Sequence, residues 1–229
     1  MPKSGASYDI YLELGQKKVF AVAVDWPGWC RSGQDEDSAI QALLEAGTRY
    51  LQVLQRVDLE FKVPPASSAF NIVERLKGNA TTDFGAPDGF LPGDWDAIDR
   101  PERERLEILI KAGWLAFDTA VSLAEDKELR KGPRGGGREL SGILAHVVGA
   151  EEGYLGALGW KMETKPAEEI DQRIEQVRAE VIRGLRVAAS GQLPRRGPKG
   201  GKRWPPRFFV RRLAWHVIDH AWEIEDRVM

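Results

Sequence analysis

The second half of the chain is organised around the stretch Arg207–Arg227, RFFVRRLAWHVIDHAWEIEDR. It contains His216 and His220, two of the three histidines in 229 residues, and no residue between them breaks a helix. On a helix the i, i+4 spacing places both side chains on one face, about 6 Å apart along the axis. Two imidazoles placed in this way can bind one metal ion, as in helical H-x-x-x-H zinc sites. The alternative is that both are partly buried residues that only form hydrogen bonds.

The third histidine, His146, lies in LSGILAHVVGAEEGYL, which also has the pattern of an amphipathic helix. Gly142 precedes it by four residues, and Gly149 and Gly153 follow it at three and seven. Glycine destabilises a helix, so this bare face serves either close helix packing or space for a metal and a substrate. Three neutral imidazoles would leave at least one coordination position open, which is typical of catalytic zinc.

Four amphipathic helices are predicted after residue 98, with Asp99 and Glu102 as a capping box for the first. Their predicted ranges are 99–126, 138–158, 166–189 and 207–227. The glycine-rich stretch at 131–137 is interpreted as a connector. Four such helices predict a four-helix bundle, in which the second and fourth helices can face each other and bring the histidines together.

The first part of the chain is predicted to be β-β-α-β. We expect strands at 8–14 and 17–24, a helix from Asp35 to about residue 55, and a strand at 57–63. A short helix is predicted within 67–78. The resulting fold class is α+β, with a first domain at 1–76, a linker rich in Gly, Pro and Asp at 77–97, and the bundle at 98–229.

Composition restricts the function classes. Hydrophobic residues make up 42% and charged residues 30% of the chain, as in a soluble folded protein. The net charge of −2 does not argue for nucleic acid, and the pI of about 6 argues against it, although eight basic residues and no acidic one occur from Pro194 to Arg212. No apolar run of bilayer length and no signal peptide is visible, and the single Cys30 cannot form an internal disulfide. These features predict a cytoplasmic protein with no membrane partner.

The N-terminal part resembles the HicB-like antitoxin fold. The similar features are the paired strands, then WPGWCRSG, then the acidic helix start of DEDSAIQALLEAGTRYL, over residues 7–65. The resemblance implies a small domain that binds a protein partner or dimerises.

The helical part resembles the DinB superfamily. ELSGILAHVVGAEEGYL matches the family's L-x-H-h-x-x-x-E helix, where h is apolar, and LAWHVIDHAWEIEDR matches its H-x-x-x-H segment. The resemblance covers residues 98–229. It implies a divalent metal ion, commonly zinc or nickel, held by His146, His216 and His220, and in some members a low-molecular-weight thiol as cofactor. Many relatives carry Trp and Ser just before the second helix, where this chain has Arg138 and Glu139.

Four further residues are candidates for supporting roles. Glu151 and Glu223 could orient a histidine, although a solvated or helix-pairing role is the alternative for each. Arg212, one turn before His216, and Arg207 could form an anion-binding rim for a substrate or a thiol cofactor. The alternative is a solvated basic segment.

Two functions follow as hypotheses. The first is a metal-dependent transferase or hydrolase that acts on a small, anionic molecule, with a thiol as a further expected cofactor. The second is a non-catalytic interaction or regulatory protein that binds a partner through the HicB-like domain. Family habit also implies a homodimer. The sequence names neither the substrate nor the metal.

Overall fold

The structure, a computed structural model, describes residues 7–131, 137–163, 165 and 167–229. The chain divides into two compact units, and the boundary lies between Pro92 and Gly93. The first unit holds a four-stranded sheet and the second holds four long helices, so the α+β class is confirmed. Within the described residues, no helix combines the length and the apolar character that crossing a membrane requires.

The first unit is a mixed sheet with the strand order β3-β2-β1-β4. Strands β1 and β2 are antiparallel, as predicted for the hairpin, and β4 runs parallel to β1. The elements in chain order are β1 Tyr8–Leu14, β2 Val19–Ala23, β3 Cys30–Gly33, α1 Glu36–Glu45, α2 Gly47–Leu54, β4 Phe70–Lys77 and α3 Ala80–Phe84.

The helix predicted from Asp35 to residue 55 is two helices. Asp35 caps α1 by accepting a hydrogen bond from the Ser38 backbone N–H, and the Ser38 side chain completes a capping box. Ala46 separates the end of α1 from the start of α2. A Cβ on Gly47 would lie 3.2 Å from Val63 Cγ1. The glycine therefore lets α2 approach the segment that follows it closely.

Three elements of the first unit differ from the prediction. The strand predicted at 57–63 is wrong: this segment is irregular, and Phe61 packs its ring at 4.9–5.2 Å from the rings of Trp26, Trp29 and Tyr50. The helix predicted within 67–78 is also wrong, because its alternating half-buried and exposed residues form β4 against β1. The loop after Trp29 contains the unpredicted strand β3, which extends the sheet beside β2.

The predicted linker at 77–97 is divided between the units. Its first part is held by Glu13, a fully buried carboxylate on β1. Glu13 accepts hydrogen bonds from the Thr82 hydroxyl at 2.5 Å and from the backbone N–H groups of Asp88 and Gly89 at 2.9 and 2.7 Å. Burial raises the pKa of Glu13. The last part of the predicted linker, from Gly93, belongs to the second unit.

The second unit contains the four predicted helices, which are α4 Arg100–Ala124, α5 Leu140–Leu158, α6 Ile170–Ala189 and α7 Pro206–Arg227. Asp99 caps α4 by accepting a hydrogen bond from the Glu102 N–H at 2.8 Å. The predicted connector at 131–137 lies largely outside the described residues, as does Pro166, where the third helix was expected to start.

Helix α7 is the most buried helix of this unit and packs against α4 and α5, while α6 packs mainly against α5. One apolar core joins the four helices, and its members include Ile110, Phe117, Ile143, Val181, Leu213 and Val217. Arg211 lies in the interior of the unit, where it is paired with Asp94 at 2.6 Å, and the two side chains are 3% and 1% exposed. This packing fixes the rotation of α5 and α7 and therefore the direction of their histidines.

Candidate metal centre

The three histidines meet between α5 and α7. His146 lies on α5, and His216 and His220 lie one turn apart on α7. The Nε2 atoms of His146 and His216 are 3.2 Å apart, and one ring nitrogen from each of the three residues lies within 4.8 Å of the others. The ring centroids are separated by 4.6–5.0 Å. Residues 70 positions apart in sequence thus form one cluster.

The antiparallel packing of α5 and α7 creates this meeting point. Near the start of α5, the Arg227 guanidinium donates to the Arg138 backbone oxygen at 2.9 Å. Near the other end, the Trp204 N–H donates to the Ala157 oxygen at 2.9 Å. These contacts place the middle of α5, with His146, opposite the middle of α7.

The environment favours neutral imidazoles. His216 is 6% exposed, and burial, followed by the charges of His220 and His146, holds its pKa well below the ordinary value. Burial also lowers the pKa of His146, with the Arg138 charge as the next cause. Neutral imidazole is the form that binds a metal ion. Within the described residues, the buried Nδ1 of His216 has no hydrogen-bond partner.

Glu223 contacts the cluster directly. Its Oε2 lies 2.7 Å from Nδ1 of His220, and its Oε1 accepts a hydrogen bond from Arg227 at 2.6 Å. The hydrogen bond with His220 is the main cause that lowers the pKa of Glu223. A carboxylate at Nδ1 favours the tautomer whose Nε2 is an acceptor. This contact places Glu223 where it can orient His220.

Glu151 pairs two helices, which was the stated alternative to orienting a histidine. It is 2% exposed and accepts a hydrogen bond from the Trp114 indole N–H at 2.6 Å. No hydrogen bond between Glu151 and a histidine occurs in the part of the chain that the structure describes. Burial raises the pKa of Glu151 to about 7. The residue therefore joins α5 to α4.

Arg207 is likewise not part of an anion-binding rim. Its guanidinium donates to both carboxylate oxygens of Glu102 and to the backbone oxygens of Gly93, Asp96 and Ala97. An arginine has five N–H donors, and these contacts use all of them. Arg207 therefore ties α7 to the chain around the start of α4.

Arg212 lies beside the cluster, as its spacing from His216 predicts. Its guanidinium carbon is 4.9 Å from the centroid of the Trp215 ring and 5.7 Å from that of the Tyr154 ring. Tyr154 in turn packs edge-on against His216, with ring centroids 5.6 Å apart. The Arg212 charge contributes to the low pKa of His216.

Arg138 and Tyr154 were not among the sequence-based candidates. They lie eight residues before and after His146, about two helical turns away in each direction. In the sequence, the indication was that this chain has a basic residue, Arg138, where many relatives carry an aromatic one. The position of Arg138 near the histidines depends on how α5 packs against α7.

A family model described as DinB superfamily matches residues 109–224. This range includes most of α4, all of α5 and α6, and the part of α7 that carries His216 and His220. No curated protein and no solved structure shows a significant match to the chain.

Proposed function

The chain belongs to the DinB superfamily, and from that premise we propose that His146, His216 and His220 bind one divalent metal ion in a metal-dependent transferase or hydrolase of small molecules. The convergence of the three imidazoles is the observation that carries this proposal. Zinc and nickel are the metals that we expect, and a low-molecular-weight thiol is the cofactor that the family suggests.

The donor set fits such an ion. Zinc–nitrogen bonds of about 2.0–2.1 Å in tetrahedral geometry put two ligand nitrogens roughly 3.3 Å apart. The Nε2 atoms of His146 and His216 are 3.2 Å apart, and one ring nitrogen from each of the three residues lies within 4.8 Å of the others. A direct N–H···N hydrogen bond also fits the 3.2 Å distance, so metal content is the decisive measurement.

Three protein ligands leave a position for a water molecule or a thiol, and a divalent ion supplies a Lewis acid that lowers the pKa of the group bound there. The chain supplies the surroundings. Glu223 holds His220 by Nδ1, and Arg227 fixes Glu223. On the α5 face next to His146, a Cβ on Gly149 or Gly153 would meet no atom within 4 Å. This open backbone provides room for a small molecule.

The test is the metal content of untagged protein, measured by elemental mass spectrometry. We expect nearly one metal ion per chain in the wild type and loss of the metal in both His146→Ala and His216→Ala. Glu223→Gln should weaken metal binding about tenfold or more, because it removes the carboxylate that orients His220. Far-UV circular dichroism controls for folding. A wild-type protein that binds no metal after incubation with zinc, nickel and manganese would refute the proposal.

We also propose that the first unit is HicB-like and serves as an interaction domain, which is the alternative to catalysis. The support is an open sheet edge: among the described residues, β4 pairs only with β1, and Val73 is 43% exposed. An edge strand of this kind can pair with a strand of a partner or of a second copy.

Analytical ultracentrifugation of the full chain tests this alternative. A dimer that dissociates in Val73→Lys would support it, because the edge already carries Arg75 and Lys77 and a further cation opposes pairing. A wild-type chain that stays monomeric at every concentration would argue against self-association through β4.

A further inference from the structure

A cavity of about 180 Å³ lies in the helical unit, apart from the histidine cluster. The ends of α5 and α6 and the start of α7 meet there, and they contribute Leu158, Ala188 and Pro206 to its wall. Pro206 lies ten residues before His216, which is about 15 Å along the axis of α7. None of the three histidines lines this cavity. It is therefore a candidate binding site distinct from the proposed metal centre.

Most of the cavity wall is apolar or aromatic. Trp95 and Trp204, both partly buried, supply its two largest side chains. The Trp204 backbone N–H donates to the Ala157 oxygen at 2.9 Å. The Trp204 ring lies 5.0 Å from the rings of Tyr154 and Phe208, so this part of the wall is held in place. A dry apolar cavity of about 150 Å³ can bind benzene, and this cavity therefore has room for one aromatic ring with a short substituent.

Arg195 places a cation beside the apolar wall. Its guanidinium carbon lies 5.1 Å from the centroid of the Trp95 ring, and its Nη2 donates to the Trp95 backbone oxygen at 3.1 Å. A short hairpin holds the backbone of Arg195, because Arg196 pairs with Lys202 and the Arg203 N–H donates to the Arg195 oxygen at 3.2 Å. An arginine has five N–H donors, and no carboxylate pairs with Arg195 within the described residues. Its remaining donors can bind an anion next to Trp95.

The charges around the cavity favour an anion over a cation. Asp96 also lines the cavity, but its Oδ2 lies 3.2 Å from the position that a Cβ on Gly93 would occupy. Gly93 is not a lining residue, so the Asp96 carboxylate is turned toward a neighbour outside the cavity. No acidic residue occurs between Glu180 and Asp219, the stretch that contains Arg195 and its hairpin. The local field at Arg195 is therefore positive.

We propose that this cavity binds a small aromatic carboxylate, with the ring against the two tryptophans and the carboxylate on Arg195. The proposal does not depend on the metal site. Removal of the ring from water supplies affinity, and the guanidinium fixes the orientation through charge-assisted hydrogen bonds. A neutral amide of the same shape offers one acceptor fewer and no charge, so the site discriminates against it.

The experiment compares phenylacetate with its neutral amide, phenylacetamide, on the full-length, untagged protein. Isothermal titration calorimetry measures both dissociation constants. We expect the wild type to bind the acid roughly tenfold more tightly than the amide. The titrations are repeated with excess chelator, and the same constants are expected because no histidine lines the cavity.

Three variants locate the binding. Arg195→Gln should bind the acid and the amide equally. Its matched control is Arg196→Gln, which removes an exposed arginine of the same hairpin that does not line the cavity and should keep the preference. Ala189→Leu adds bulk to a lining residue at the end of α6 and should weaken binding of both probes. Far-UV circular dichroism controls for folding in each variant.

The other outcomes overturn the proposal in different ways. Equal affinities in the wild type, or an unchanged preference in Arg195→Gln, remove Arg195 as the carboxylate partner. Binding that the chelator abolishes places the probe on a metal ion and not in this cavity. A wild type that binds neither probe shows that the cavity does not take an aromatic ring. The metal content of the protein is measured separately, so failure here leaves the metal site standing.

Discussion

Replacing Glu151 by glutamine removes a buried carboxyl group from the interior of the helical unit. Glu151 is 2% exposed, and its hydrogen-bond partner among the described residues is the Trp114 indole at 2.6 Å. Burial raises its pKa to about 7, from an ordinary value of 4.5. The native state therefore keeps a proton that the unfolded chain releases at lower pH.

The sign of the effect follows from proton binding. Between pH 4.5 and about 7 the native state binds more protons than the unfolded state, so the free energy of unfolding falls as the pH rises. Each pKa unit corresponds to about 1.4 kcal/mol, which gives a total fall of about 3 kcal/mol. The contribution is fully present below pH 4.5 and lost above about pH 7. Glutamine does not titrate, so Glu151→Gln lacks this fall.

Urea unfolding from about pH 4 to about pH 8, with a chelator present, measures the difference. We expect the variant to gain about 3 kcal/mol relative to the wild type across this range, whatever its stability at low pH. Glu175→Gln, on the exposed face of α6, controls for the loss of one carboxylate. A difference between Glu151→Gln and the wild type that does not change with pH would refute the reasoning.

Two other features of the helical unit give predictions. Asp94→Asn should lower the free energy of unfolding by about 3–5 kcal/mol, because it removes the carboxylate that pairs with the buried Arg211 charge; a loss below about 1 kcal/mol in urea unfolding would contradict this. Gly153→Ala should stabilise the protein by about 0.5–1 kcal/mol, since its Cβ meets no atom within 4 Å. Gly184→Ala should destabilise it by about 1 kcal/mol or more, since its Cβ would lie 3.0 Å from Trp160 Cγ. Thermal unfolding of Gly153→Ala and Gly184→Ala should therefore show midpoint shifts of opposite sign.

The helical half was predictable because its signals are local. Apolar residues repeat with the helical period, Asp99 supplies a cap, and prolines and glycines mark the loops. The predicted ends of the four helices differ from the observed ones by two residues or fewer wherever the structure describes the predicted end. The i, i+4 spacing placed His216 and His220 on one face without any knowledge of the tertiary structure.

The errors in the first unit have a non-local cause. The segment at 57–63 alternates as a strand does, but Phe61 instead joins the aromatic cluster of Trp29 and Tyr50. Strand β4 exists because β1, some 60 residues earlier in the chain, offers it a parallel edge. A strand requires a partner, and the partner is not visible in the segment itself.

The sequence by itself determined the helices and the residue types that can hold a metal ion, because periodicity and spacing act within one helix. Only the tertiary structure decided what each side chain does. Arg207 and Glu151 form hydrogen bonds with protein partners, whereas Glu223 reaches His220. The partners of Arg207 and Glu151 lie on other helices or loops, and the contact of Glu223 with His220 depends on the side-chain rotamers. The packing of α4, α5 and α7 therefore sets the composition of the site.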